Sequence, residues 1–171
     1  MNPKITGVGT NTFVDITTRT VSGTTTQTVL SRILIPAGTY TSGDLIIVNA
    51  LWGKTGTAGS STHKLWWSPN DPGSSGVTGA TQLWTRGQGS GTNYIDHGRH
   101  LYIKNASGGG SGIELGTELA STSTSIASEY RSTGSSNIAI NWTNDVWIFC
   151  TFQCNSAGDS ASQLYLKIWE Y

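Results

Sequence analysis

Charged side chains are scarce in this 171-residue chain. Lysine, arginine, aspartate and glutamate make up 12% of it, ten basic against ten acidic, where an ordinary soluble domain carries roughly a quarter. With no net charge and no basic cluster, it lacks the electrostatic means to grip nucleic acid or an anionic membrane. No apolar run approaches a membrane span, and the opening MNPKITGVGTNTF has no apolar stretch of signal-peptide length. The expectations are no nucleic-acid partner, no membrane insertion and synthesis in a cytoplasm. Cysteine is limited to Cys150 and Cys154. Four apart on a strand, they would share a face at a separation of about 13 Å. A disulfide needs α-carbons within about 7 Å, so both are expected to be small, buried, reduced thiols.

Helical rhythm is missing too. No window of a dozen residues keeps an i, i+3, i+4 apolar pattern, because Gly, Ser and Thr interrupt it. What the chain does have is 22 glycines, many Ser and Thr residues, and seven tryptophans, a mixture suited to β structure. Alternating runs predict strands over 12–17, 27–35, 44–53, 61–68, 81–87, 93–105, 112–115, 137–142, 145–154 and 162–171. Between them lie turn clusters such as PAGTYTSG, KTGTAGS and SPNDPGSSGVTG, with Pro presetting φ and Gly supplying positive φ. Many short strands so punctuated make an all-β antiparallel sandwich or barrel.

Pairing the last two strands even with even sets Val146, Ile148, Cys150 and Phe152 beside Leu164, Leu166 and Ile168 on a core face. Trp147, Phe149, Tyr165, Lys167 and Trp169 then gather on the other face. That face is too aromatic for open surface, and the first four-residue aromatic set (Trp147, Phe149, Tyr165, Trp169) is expected to form a subunit interface. LIIVNALW is likewise apolar on both faces, with Leu45, Ile47 and Leu51 opposite Ile46, Val48 and Trp52.

Catalytic patterns are thin. There is no Gly-x-Ser-x-Gly elbow and no phosphate-binding loop, and the few acids sit in turns or at strand ends. The expectation is a non-enzyme without cofactor. In YIDHGRHLYI, alternation places Asp96 and His100 on one face and His97 and Arg99 on the other. With His63 a zinc site is conceivable, but ligands four apart on a strand do not meet at one metal. Exposed aromatics stack on sugars; in HKLWWS and TQLWTRG, Trp66 and then Trp84 are the candidates for a glycan or partner contact, the alternative being core or interface packing.

The run SRILIPAGTYTSGDLIIVNALWGKTGTAGSSTHKLWWS (31–68) resembles a segment of the structural proteins of tailed bacteriophages. The matching positions are Ile35 to Thr39, Ser42 to Asp44 and Lys54 to Gly59, joined later by GATQLW (79–84) and the closing LYLKIWEY. The likeness extends loosely over 27–171 and is one of turn chemistry and strand order. It implies a jelly-roll-like β-sandwich on a virion, usually trimeric. The expected role is a capsid decoration (cement) or head-fibre protein, a homotrimer partnered by the major capsid protein or another virion protein. The alternative is a receptor- or glycan-binding tip of a tail fibre or spike, with a host surface glycan as partner. Residues 1–26 are expected to be an N-terminal arm or an edge strand, with Ile5, Phe13 and Ile16 as capsid contacts, ahead of a jelly-roll domain at 27–171.

Overall fold

The computed structural model describes residues 11–73, 76–90, 93–108, 113–122 and 138–171. Among these residues ten strands form: β1 (Thr12–Asp15), β2 (Arg19–Ser22), β3 (Thr28–Ile35), β4 (Leu45–Thr55), β5 (Ser61–Ser68), β6 (Thr81–Gln88), β7 (Asn93–Ile103), β8 (Ile113–Thr122), β9 (Val146–Cys154) and β10 (Ser160–Glu170). No helix occurs among the described residues. One sheet, A, runs β1-β10-β4-β7-β8, with β2 also on β10; the other, B, runs β3-β9-β5-β6. All the pairings are antiparallel.

The pairings nest. The β1–β2 segment pairs with β10, β3 with β9, β4 with β7 and β5 with β6, and successive pairs alternate between sheets. A long antiparallel ribbon folded over in this way is a jelly roll, the expected architecture, with β8 added beyond β7. Between the sheets, Ile46, Val48 and Trp52 of β4 and Leu166 and Ile168 of β10 meet Ile148, Cys150 and Phe152 of β9 and Leu65 of β5. Each such side chain contributes roughly 1.5–3 kcal/mol on burial.

Three expectations change. The strands β9 and β10 do not pair: they lie in opposite sheets, with their even-numbered apolar residues facing across the core. Leu164 is half-buried at a bulge between Gln163 and Tyr165, so it does not extend the Leu166–Ile168 row. Residues 137–142 are not a strand over their described part; Ile138, Ile140 and Trp142 instead plug the end of the core, and an Asx turn at Asn141 diverts the chain.

The described part of the N-terminal segment belongs to the sandwich. β1 and β2 form one broken edge strand on β10, interrupted at residues 16–18 opposite the β10 bulge. Asp15 holds the break, accepting from Thr17 N, Arg19 and, across the sheets, Ser31 Oγ. Phe13 packs on the core with its ring edge toward Tyr40, whereas Ile16 is 74% exposed at the break. Ile5 lies outside the described residues.

Candidate functional site

The four residues expected on one interface divide between opposite sides of the molecule. Trp147 and Phe149 lie on the outer face of sheet B, Tyr165 and Trp169 on that of sheet A. Alternation put Trp147 and Phe149 on one face of β9 and Tyr165 and Trp169 on one face of β10, but the assumed pairing of those strands joined two faces that never meet.

The sheet B face is covered by the chain itself. Phe149 has 0% exposure, with Arg32 and Trp66 as its cross-strand neighbours and the Trp66 ring stacked alongside at 13°. Trp66 donates its indole N–H to Thr151 Oγ1 at 2.8 Å, and Lys64 Nζ lies over its ring. Arg32 sits over Trp147 and pairs with Asp71, drawing the β5–β6 connection toward this face. So Phe149 is a packed residue of the single subunit, not an exposed contact. Trp84, expected as a second glycan contact, is in the core at 1% exposure.

Among the described residues, the sheet A face carries the more exposed aromatics. Trp169 stands beside Ile47 and His100 in one cross-strand row, and Tyr165, Leu51 and Asp96 form another. Tyr165 reaches across β4 to donate its phenol to Asp96 Oδ1 at 2.9 Å. Burial, and then the carboxylate it serves, push Tyr165 up to about 12, so it remains a donor. At the near end Lys167 Nζ sits 4.7 Å from the Trp169 ring centre, and Val14 and Tyr102 are 48% and 44% exposed. At the far end the Tyr94 ring fills the space above Gly53 where a Cβ would stand, with 2.6 Å between that position and two ring carbons.

Inside, one end of the sandwich is polar. His63 stacks on Trp52 at 3.8 Å and 6°. Gln163 donates to Leu51 O and Tyr165 O, which turns its Oε1 toward His63 Nε2 at 2.9 Å. His63 therefore carries its proton on Nε2 and presents a bare Nδ1. Arg86 Nη1 lies 3.0 Å from His97 Nδ1, which must then accept. Burial lowers both imidazoles to about 3, and at His97 the Arg86 charge adds to the effect. Both are neutral core groups. Neither joins Asp96 or His100, which face outward, and among the described residues no three His, Cys, Asp or Glu side chains come together as metal ligands.

The motifs that carried the resemblance do structural work at the ends of the sandwich. In the IPAGTYTSGD stretch, Thr39 N closes a turn on Pro36 O, Asp145 accepts from Ala37 N, and Asp44 accepts from Thr41 N. Tyr40 is buried between them, its ring edge-on to Trp142. The turn thus carries the chain from sheet B to sheet A. In KTGTAG, Lys54 is fully buried: its ammonium reaches Gly56 O at 2.6 Å and Asp159 Oδ2 at 3.0 Å. Asp159 also accepts from Ala58 N and Gly59 N. Those donors, led by Lys54, outweigh burial and hold its carboxyl below the ordinary value. Sequence reasoning missed this clasp; its signal was a lysine in an apolar strand and a lone acid in NSAGDS.

No protein-family description matches the sequence, and no curated protein matches it. Among solved structures, a chain from the structure of infectious bursal disease virus, Gx strain, aligns with 99% of this chain at 12% identity and a TM-score of 0.23. This chain spans 45% of that one. A superposition that loose carries no argument about function.

Proposed function

We propose that this chain is a structural subunit of a virus particle. The specific reading is a trimeric capsid-decoration or head-fibre protein of a tailed bacteriophage, bound to the major capsid protein. A jelly roll is compatible with that role, since viral capsid and lectin domains share the architecture, but a fold alone does not set a function. The observation that carries the proposal is the near end of the sheet A face. There Trp169 stays partly exposed beside the buried Ile47, on strands whose other face is already committed to the core, and Tyr102 and Val14 are partly exposed at the same end.

Light scattering on the purified chain tests the assembly step. Trp169→Ala is expected to shift an oligomer toward monomer with little change in subunit stability. Phe149→Ala is expected to lower stability by about 3–5 kcal/mol while leaving the contact face intact. Cosedimentation with bare capsids then tests the partner. A monomeric wild-type chain that ignores capsids would overturn the proposal.

A further inference from the structure

Beyond assembly, we infer that the far end of the sheet A face, built from Tyr94, Gly53, Asp96 and Tyr165, is a binding site for a neutral pyranose sugar. Two tyrosines converge on β4 from opposite sides, Tyr94 from β7 onto Gly53 and Tyr165 from β10 across the Leu51 row. Glycine at 53 is what lets the Tyr94 ring settle against the strand, because any Cβ there would lie 2.6 Å from it. The ring is thereby seated from below while 53% of Tyr94 stays in solvent. An aromatic surface held at low conformational cost is what the C–H face of a pyranose packs against.

Asp96 supplies the polar half. It lies two residues along the same face from Tyr94, about 7 Å by the strand rise, within the span of one sugar ring and its hydroxyls. Its Oδ1 accepts from Tyr165, and a carboxylate has acceptor sites beyond that one bond. The carboxylate is therefore oriented by Tyr165 and keeps acceptor capacity for sugar hydroxyls. The next cross-strand neighbour of Gly53 on β10 is Ser162, paired with Thr20 Oγ1 at 2.8 Å, which adds hydroxyls to the rim. Among the described residues, Lys167 on this face is engaged over Trp169 toward the other end. A site of one aromatic and one carboxylate selects uncharged sugars and repels uronic or sialic acids.

The test uses the full chain with methyl α-D-glucopyranoside, methyl α-D-mannopyranoside and methyl β-D-galactopyranoside, with methyl β-D-glucuronide as the anionic comparison. Saturation-transfer NMR at tens of millimolar reads binding. At least one neutral glycoside is expected to bind through its C–H face, and the glucuronide is not. Tyr94→Ala is expected to weaken binding about tenfold or more, Asp96→Asn to weaken it, and Tyr94→Phe to retain it. Gly53→Ala, which unseats the ring, should imitate Tyr94→Ala at unchanged Phe149 and Trp169. Trp169→Ala should bind as wild type, which separates this site from the assembly face. Absence of signal with all three neutral glycosides, equal binding by Tyr94→Ala, or equal binding of the glucuronide would each overturn the inference.

Discussion

Lys54 Nζ lies 3.0 Å from Asp159 Oδ2, with neither side chain exposed to solvent. The pair ties the end of β4 to the start of β10 and fastens the β4–β5 turn between them. Removing one partner leaves the other charge buried alone, whereas removing both does not. Asp159→Ala is therefore expected to lower the unfolding midpoint further than the double variant Asp159→Ala with Lys54→Met. Chemical denaturation of the three proteins checks it; equal losses would mean that the lysine finds water when its partner is gone.

The same clasp ranks two glycine substitutions. Gly56 has φ +92°, and a Cβ there would meet Asp159 Oδ1 at 2.3 Å; Gly38 has φ +73° with nothing within 4 Å. Gly38→Ala is expected to cost about 1–2 kcal/mol from backbone conformation alone. Gly56→Ala should cost clearly more, because it also displaces the carboxylate. Denaturant midpoints decide the order.

The two buried imidazoles make stability depend on pH. Their folded values of about 3 lie below the ordinary 6.5, so the unfolded chain binds protons that the folded one refuses. Stability is then complete above about 6.5 and falls as pH drops toward 3, by up to about 1.4 kcal/mol per unit for each histidine. Asp15 and Asp159, held below 3.8, add their own loss only as pH falls through that lower range. The urea midpoint measured from pH 7 to about 4.5 isolates the histidines. His97→Gln is expected to flatten the slope there, and a flat wild-type profile would mean the imidazoles are hydrated.

Cys150 and Cys154 are both buried free thiols, and burial raises the pKa of each. A thiol-specific reagent is expected to titrate none in the native protein and two after denaturation. Cys150→Ser should lose about 1–3 kcal/mol by placing a hydroxyl in an apolar site, and Cys150→Ala should be milder.

Most strands and both faces of each were legible, because alternation in VWIFCTFQC or LIIVNALW depends only on the residues themselves. Which strands pair was not. Alternation says that Phe149 and Trp169 avoid the core, but it is silent on whether they share a sheet, and the jelly roll puts β9 and β10 in different ones. RTVS escaped notice as β2 because Val21 is its sole apolar residue; its pairing with β10 comes from position on the edge. The Tyr94 site escaped for a related reason. A glycine in β4 and a tyrosine in β7 acquire meaning only when register sets them opposite each other. The Lys54–Asp159 clasp escaped as well, since the acid follows 105 residues later in the chain.

The nested ribbon also sets when the molecule can fold. β10 holds β1 and β2 on one side and β4 on the other, so three strands made early in translation wait for one made late. Until then β4 has only β7 as its neighbour, and the first edge strands have none among the described pairings. Contacts this distant in sequence close slowly, and the emerging chain exposes apolar strand faces meanwhile. Sheet A can therefore assemble only once β10 has left the ribosome, and until then β1, β2 and β4 depend on whatever shields their unpaired edges.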